Sequence, residues 1–224
     1  MAVHDIRYYL NGILFVAEGK SLTLVATDGH RLALAQATLD DRDPEAGGDP
    51  AAQDRARAAA AAGEGRRRRG RSRCASRGNQ AKFSFAGMEF VTKLVEGKFP
   101  DYNRVIPKNH KNQVTLGRAP LLQSLQRAAI LTSEKFKGVR VNIEPGTLRI
   151  ASSNAEQEEA MEELEIDYGG DAIEIGFNVT YLIDALANMG QEMVTVELQD
   201  TNSSALITVP DQAGFKYVVM PMRI

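Results

Sequence analysis

Asp28, His30 and Arg31 flank Gly29 within four residues. A carboxylate that orients an imidazole beside a guanidinium is a grouping suited to acid–base chemistry. No partnered nucleophile accompanies it, however, and an Asp-Gly pair between two alternating runs is by itself a turn signal, so the turn is the expected reading. Gly65-Arg-Arg-Arg-Arg-Gly70 lacks the Lys-Ser/Thr of a phosphate-binding loop and remains a polybasic tract able to hold nucleic acid. Cys74 is the only cysteine, and with three His it supports neither a disulfide nor a metal-ligand cluster. Asn178-Val-Thr180 and Asn202-Ser-Ser204 match the spacing of glycosylation acceptors, which carries little meaning in a cytoplasmic protein. Catalysis, metal binding and a cofactor are therefore not expected.

The elements that would position these residues are mostly strands. Ile13-Leu-Phe-Val16, Leu22-Thr-Leu-Val-Ala26 and Arg31-Leu-Ala-Leu34 alternate and are separated by turns at Glu18–Ser21 and Asp28–His30, a meander. Lys82–Phe85 and Phe90–Val95 form a second hairpin about Gly87, followed by Gly97-Lys-Phe-Pro-Asp-Tyr102. Periodicity fades around Ile106–His110, where a domain boundary is expected. Beyond it, Ala119–Leu131 has helical apolar spacing with Pro120 in the first turn. Strands follow at Val139–Ile143, Leu148–Ala151 and Met161–Ile166. Ile173–Ile175 then precedes a second helix, Asn178–Met189, capped by Asn178 and stopped by Gly190, and strands Val194–Leu198, Ala205–Val209 and Phe215–Met220 close the chain. The order helix, strands, helix, strands reads as a duplicated unit of an α+β protein.

Composition divides the chain differently. Its 224 residues are 43% hydrophobic and 25% charged, with a formal net charge of −2. That suits a globular protein with a sizeable core and excludes wholesale disorder. No long apolar span exists, and the start lacks the basic and apolar regions of a signal peptide, so a cytoplasmic protein with no membrane contact is expected. Residues 41–79 contain no Val, Ile, Leu, Met, Phe, Tyr or Trp, but ten Arg against six acidic residues. Such a stretch cannot make a core. A GC-rich gene read out of frame yields this composition, and Pro50–Gly63 can be coded so that another frame spells an amphipathic helix. The stretch is expected to be disordered or an out-of-frame insert.

Six segments then carry a resemblance: Arg7-Tyr-Tyr-Leu-Asn-Gly12, Ala26-Thr-Asp-Gly-His-Arg-Leu-Ala33, Lys93-Leu-Val-Glu-Gly-Lys-Phe-Pro-Asp-Tyr102, Asn154-Ala-Glu-Gln-Glu-Glu159, Ile175-Gly-Phe-Asn-Val179 and Tyr217-Val-Val-Met-Pro-Met-Arg-Ile224. Together they resemble the bacterial DNA polymerase III beta subunit family, the sliding clamps, over residues 1–40 and 80–224. The resemblance implies a DNA-clamp fold, with residues 1–109 as a remnant of the second domain and 110–224 as the third. Met1 falls where the family begins its second domain, so the first domain has no counterpart. It also implies a processivity factor, an accessory subunit of the polymerase that is not itself an enzyme. Its partners would be double-stranded DNA and the linear motifs of the DNA polymerase III alpha subunit, of the clamp loader and of repair polymerases. Members close as a homodimeric ring, which is not expected of this chain alone.

Site residues follow from the same resemblance. A hydrophobic peptide cleft would be lined by Leu10, Thr27, Gly29, His30, Arg31, Leu32, Pro100, Arg104, Val105, Phe136, Asn178, Tyr181, Val218, Val219, Met220, Pro221, Met222 and Arg223. From the residues alone, Tyr217–Met222 is either a buried terminal strand or a surface segment freed by Pro221. Methionine adapts to varied ligands, and Ala205, where a larger apolar residue is common, implies a roomier sub-pocket. Arg7, Tyr8, Tyr9 and Lys98 are the expected DNA contacts, directed at the backbone because a sliding ring holds no particular bases; ordinary strand packing is the alternative for the tyrosines. Ile130 and Leu131, beside an acidic strip of Glu156, Glu158, Glu159, Glu162 and Glu163, would form a subunit interface, or the strip is simply a solvated strand face. Two rivals stand beside this reading: a non-functional truncated clamp product, and a nucleic-acid binder acting through Arg66–Arg77.

Overall fold

The structure is a computed structural model and describes residues 1–2, 5–39, 56–58, 73–85, 87–108, 110–133, 135 and 137–223. It divides into two compact units, Met1–Tyr102 and Asn103–Ile224. The aperiodic segment around Ile106–His110 thus belongs to the second unit.

In the first unit, β1 (Ile13–Glu18), β2 (Ser21–Thr27), β3 (Arg31–Thr38) and β4 (Ala56–Ala58) form an antiparallel sheet in the order β4-β1-β2-β3. Glu18 pairs with Ser21 across Gly19–Lys20, and the positive φ of Gly19 (57°) suits so short a loop. Leu14, Val25, Leu32 and Leu34 are buried along one face. A second sheet holds β5 (Arg73–Arg77), β6 (Gln80–Phe85) and β7 (Met88–Lys93), with Phe83 bringing the rings of Phe15 and Phe90 together at 5.4 and 6.3 Å.

The expectation that 41–79 is disordered or an out-of-frame insert meets two strands, β4 and β5, among the described residues. Residues 56–58 pair with β1, and Arg73–Arg77 pairs with β6 across a two-residue loop, Gly78–Asn79. Backbone pairing at a sheet edge needs no apolar side chain, and Gly-Asn is a favoured hairpin loop. The remainder of that expectation, residues 41–55 and 59–72, lies outside the described residues.

The second unit repeats one pattern twice. β8 (Asn112–Gly117), α1 (Arg118–Ile130), β9 (Gly138–Glu144), β10 (Thr147–Ser153) and β11 (Glu159–Glu165) form the first copy. The second is β12 (Ile173–Asn178), α2 (Val179–Ala187), β13 (Met193–Leu198), β14 (Ala205–Val209) and β15 (Gln212–Val219). The leading strands are exchanged. β8 joins β13, β14 and β15 in one sheet, while β12 joins β9, β10 and β11 in the other. Both helices pack against antiparallel sheet, and their buried faces, Leu121, Leu125 and Ala128 on α1 with Leu182, Ala185 and Leu186 on α2, complete the core. α2 starts one residue after its Asn178 cap and ends at Ala187 rather than Met189, where the N–H of its cap residue Asn188 closes onto the Asp184 and Leu186 carbonyls. Arg118 ties the copies together: its guanidinium donates to the Leu186 carbonyl at 3.1 Å, near the carboxyl end of α2, and to the Gln191 carbonyl at 2.7 Å. No helix among the described residues is long and apolar enough to cross a membrane.

Candidate functional site

In the first unit the Asp28–Arg31 turn is held from within. Asp28 Oδ1 accepts the N–H groups of His30 and Arg31, both at 3.0 Å, and Oδ2 meets Arg31 Nε at 3.0 Å. Burial alone would raise the Asp28 pKa, but these donors outweigh it and hold the carboxyl below its ordinary range. Thr27 Oγ1 donates to the Arg31 carbonyl and accepts the Gly29 N–H. The carboxylate therefore organises backbone, which is the turn reading rather than the acid–base one. Gly29 and His30 are exposed and Arg31 half-buried, while Leu10, Thr27 and Leu32 are buried. Pro100 is exposed next to buried Phe99.

The four expected DNA contacts lie on the segments that flank this unit's sheets. Tyr8 and Tyr9 stack edge to face at 6.0 Å. Gly97, with φ +96°, approaches so closely that a Cβ on it would lie 3.4 Å from the Tyr8 hydroxyl and 3.6 Å from Tyr9 Cβ. The Glu96–Lys98 loop thus abuts the two tyrosines, and Lys98 is exposed beside them. Arg7 is engaged elsewhere: Nε and one terminal nitrogen hold both Asp5 oxygens at 3.0 and 2.8 Å, and that nitrogen also donates to the Asp28 carbonyl at 3.1 Å. These bonds pull the Asp5 carboxyl down to about 2. Asp5 had no role in the expectations, and an Asp two residues before an Arg carries no distinctive signal.

In the second unit the carboxyl-terminal strand ends where Pro221 requires it. Val218 and Val219 are 0% exposed, so they are core and support the surface from beneath rather than line it. Met220 turns out at 45% exposure, and Pro221 and Met222 are half-buried. The Met222 N–H donates to the Gly176 carbonyl at 2.8 Å, carrying the tail from the β15 sheet to the edge of β12. Asn178 next to this edge accepts the Thr180 N–H at 3.0 Å, and Tyr181 one turn on is half-buried. Arg104, Val105 and Arg223 are exposed; Phe136 lies outside the described residues. Ala205 is 1% exposed and faces an apolar cavity of about 30 Å³ walled by Leu125, Ile150, Phe177, Leu186 and Ile207 among others. The room expected at Ala205 is therefore inside the core and not in a surface sub-pocket.

The acidic strip is partly neutralised. Arg127 of α1 grips Glu162 through Nε at 2.8 Å and lowers its pKa, and Arg149 meets Glu163 at 2.9 Å. Glu156, Glu158 and Glu159 remain exposed. Ile130 is 76% exposed, Leu131 half-buried, and Met161 on the edge strand β11 is 71% exposed. Met161 was missed, although the strand's alternation sets it on the solvent face with Glu163 and Glu165. Among the described residues no group of three His, Cys, Asp or Glu is arranged to hold a metal ion.

Two family models match: the C-terminal domain of the DNA polymerase III beta subunit over residues 103–223 and its central domain over 1–48. Beta sliding clamps of Pseudomonas aeruginosa (41% identical) and Escherichia coli K12 (40%) each align with all of this chain and 60% of their own length. A crystal structure of the DNA polymerase III subunit beta from Pseudomonas aeruginosa superposes with a TM-score of 0.87 at 39% identity, covering 100% of this chain and 61% of that one. A DnaN sliding clamp from the same organism, bound to griselimycin, gives 0.85 at 38%, covering 100% and 60%. The chain thus spans about 60% of the length of the curated relatives it matches.

Proposed function

The chain belongs to the DNA polymerase III beta subunit family, and on that premise we propose that it serves as the central and C-terminal portion of a cytoplasmic sliding clamp. It binds peptide motifs of replication and repair proteins and contacts DNA without catalysing a reaction. The carboxyl-terminal tail is the observation that carries this reading. An exposed Met220 follows two fully buried valines, and the Met222 N–H fixes the tail to the β12 edge, so an apolar, adaptable surface is held on a rigid base. The peptide ligands are the linear motifs of the polymerase alpha subunit, of the clamp loader and of repair polymerases. Sequence-blind contact with double-stranded DNA falls to Tyr8, Tyr9 and Lys98. Ile130 and Met161, with the flanking glutamates, form the edge that meets another subunit, and their exposure supports it.

Fluorescence polarisation with a fluorescein-labelled hexapeptide of Leu and Phe side chains tests the central element. Saturable binding, competed by griselimycin because a relative's crystal structure holds that compound, is the expected result. A correctly folded chain that binds neither ligand would instead be a clamp product without function. DNA binding abolished by deleting 59–72, with peptide binding absent throughout, would favour the arginine tract as the working part.

A further inference from the structure

We infer that Arg7 is a positioning residue, a clasp that holds the Asp28–Arg31 turn in the shape a peptide ligand meets. This deepens the peptide-binding reading and rests on it. Arg7 bridges two loops of the first unit. Its fork holds both oxygens of Asp5 and reaches on to the Asp28 carbonyl at 3.1 Å. Asp5 is itself anchored at both ends of its loop: its carboxylate accepts the Arg7 N–H at 2.8 Å, its N–H donates to Asn11 Oδ1, and its carbonyl accepts from Asn11 Nδ2, both at 3.1 Å. The 5–11 loop is thus a closed ring of hydrogen bonds from which the guanidinium projects onto the turn.

Gly29 makes the contact possible for two separate reasons. Its φ of +89° is a conformation other residues adopt at a cost. A Cβ there would also stand 2.8 Å from one terminal nitrogen of Arg7 and 3.2 Å from the other, so the guanidinium lies against a backbone that has no side chain. The turn is therefore fixed from inside by Asp28 and from outside by Arg7. His30 and Arg31, the residues it presents, stay where a ligand finds them without an ordering cost on binding. Lysine cannot substitute, since one ammonium does not reproduce a planar fork joining a carboxylate to a carbonyl.

The full chain and the labelled hexapeptide supply the test, with thermal unfolding recorded for every variant. Arg7→Gln and Arg7→Lys should each weaken peptide binding about tenfold and speed amide hydrogen exchange at Gly29, His30 and Arg31 in the free protein. Asp5→Asn separates positioning from direct contact. It releases the guanidinium, so a ligand-touching Arg7 would bind peptide as well or better, whereas a clasp predicts weaker binding and no further loss in the Asp5→Asn/Arg7→Gln double variant. Gly29→Ala should reproduce the faster exchange with Arg7 intact. Unchanged exchange in Arg7→Gln, or undiminished peptide affinity in Asp5→Asn, overturns the inference. Loss of DNA retention in Arg7→Gln with peptide affinity intact overturns it as well and makes Arg7 a DNA contact. If the unaltered chain binds no peptide, the peptide reading fails, and the role in ligand recognition falls with it even where exchange shows the clasp.

Discussion

At the scale of single residues, neighbours decide what each side chain is free to do. Asp5 and Met220 are the two extremes. Asp5 is held near pKa 2 by Arg7, below its ordinary 3.8, so the pair's contribution to stability is present above about pH 4 and is lost as pH falls towards 2. An NMR titration should show the Asp5 carboxyl returning to its ordinary range in Arg7→Gln; a midpoint still near 2 would mean that another group holds it down. Met220 has no such tie through its side chain and stands half out of the surface. Met220→Asp would set a charge among the apolar groups of the proposed peptide surface, at a cost of about 2 kcal/mol or more on ligand binding unless the site rehydrates. Peptide affinity should fall at least tenfold with thermal stability nearly unchanged, and unchanged affinity by fluorescence polarisation would remove Met220 from the site.

At the scale of elements, the second unit's strand exchange sets its cooperativity. β8 leads the first copy yet completes the second copy's sheet, and β12 does the reverse. Neither copy can close its core alone, so residues 103–224 should unfold in one transition by circular dichroism. A fragment beginning at Arg118, without β8, should show no cooperative transition. The cavity at Ala205 belongs to the same core. Its walls are Leu, Ile, Val and Phe with Ala205 itself, so it stays dry and Ala205→Val should fill part of it, stabilising by about 1 kcal/mol. A fall in denaturation midpoint would show that the wall is already tight. Both helices and most strands were legible in the sequence because apolar spacing is a local signal. β8 was not, since Asn112–Gly117 buries only Val114 and Leu116 and is fixed by its partner β13. β4 and β5 were hidden for the opposite reason: composition argues from side chains, and these strands are held by backbone pairing. The candidate site was legible only through its resemblance to a family. Asp5 illustrates the limit, because its importance arises from a bond to Arg7 and, through Arg7, to a turn 23 residues away in sequence.

For the whole molecule, the proposed clamp reading can be tested by whether a second subunit is met and DNA encircled or merely touched. Among the described residues β11 is an edge strand of its sheet, and Met161 on it and Ile130 on α1 are two strongly exposed apolar side chains within an acidic frame. Two copies of this edge cannot pair comfortably. Antiparallel pairing of two β11 strands centred on Met161 sets Glu159 of one copy opposite Glu163 of the other, and centred on Glu162 opposite Glu165, and like charges across a ladder are destabilising. On the proposed reading, a surface that fits β11 would be a different one, apolar at its centre and basic around it as the family resemblance implies, and such a contact would be heterologous, the kind that closes rings. Glu162 is already held by Arg127 and Glu163 by Arg149, so Glu159 and Glu165 should carry more of the electrostatic attraction. The 224-residue polypeptide alone should then stay monomeric through this edge in size-exclusion chromatography. Its hold on DNA should be electrostatic, equal on circular and linearised plasmid, and should weaken steeply as salt rises. Retention on the circle alone would mean that the chain had closed a ring by itself, against this expectation. Ile130→Glu together with Met161→Glu provides the complementary measurement: such a ring, if it survives both substitutions, does not use β11 at all.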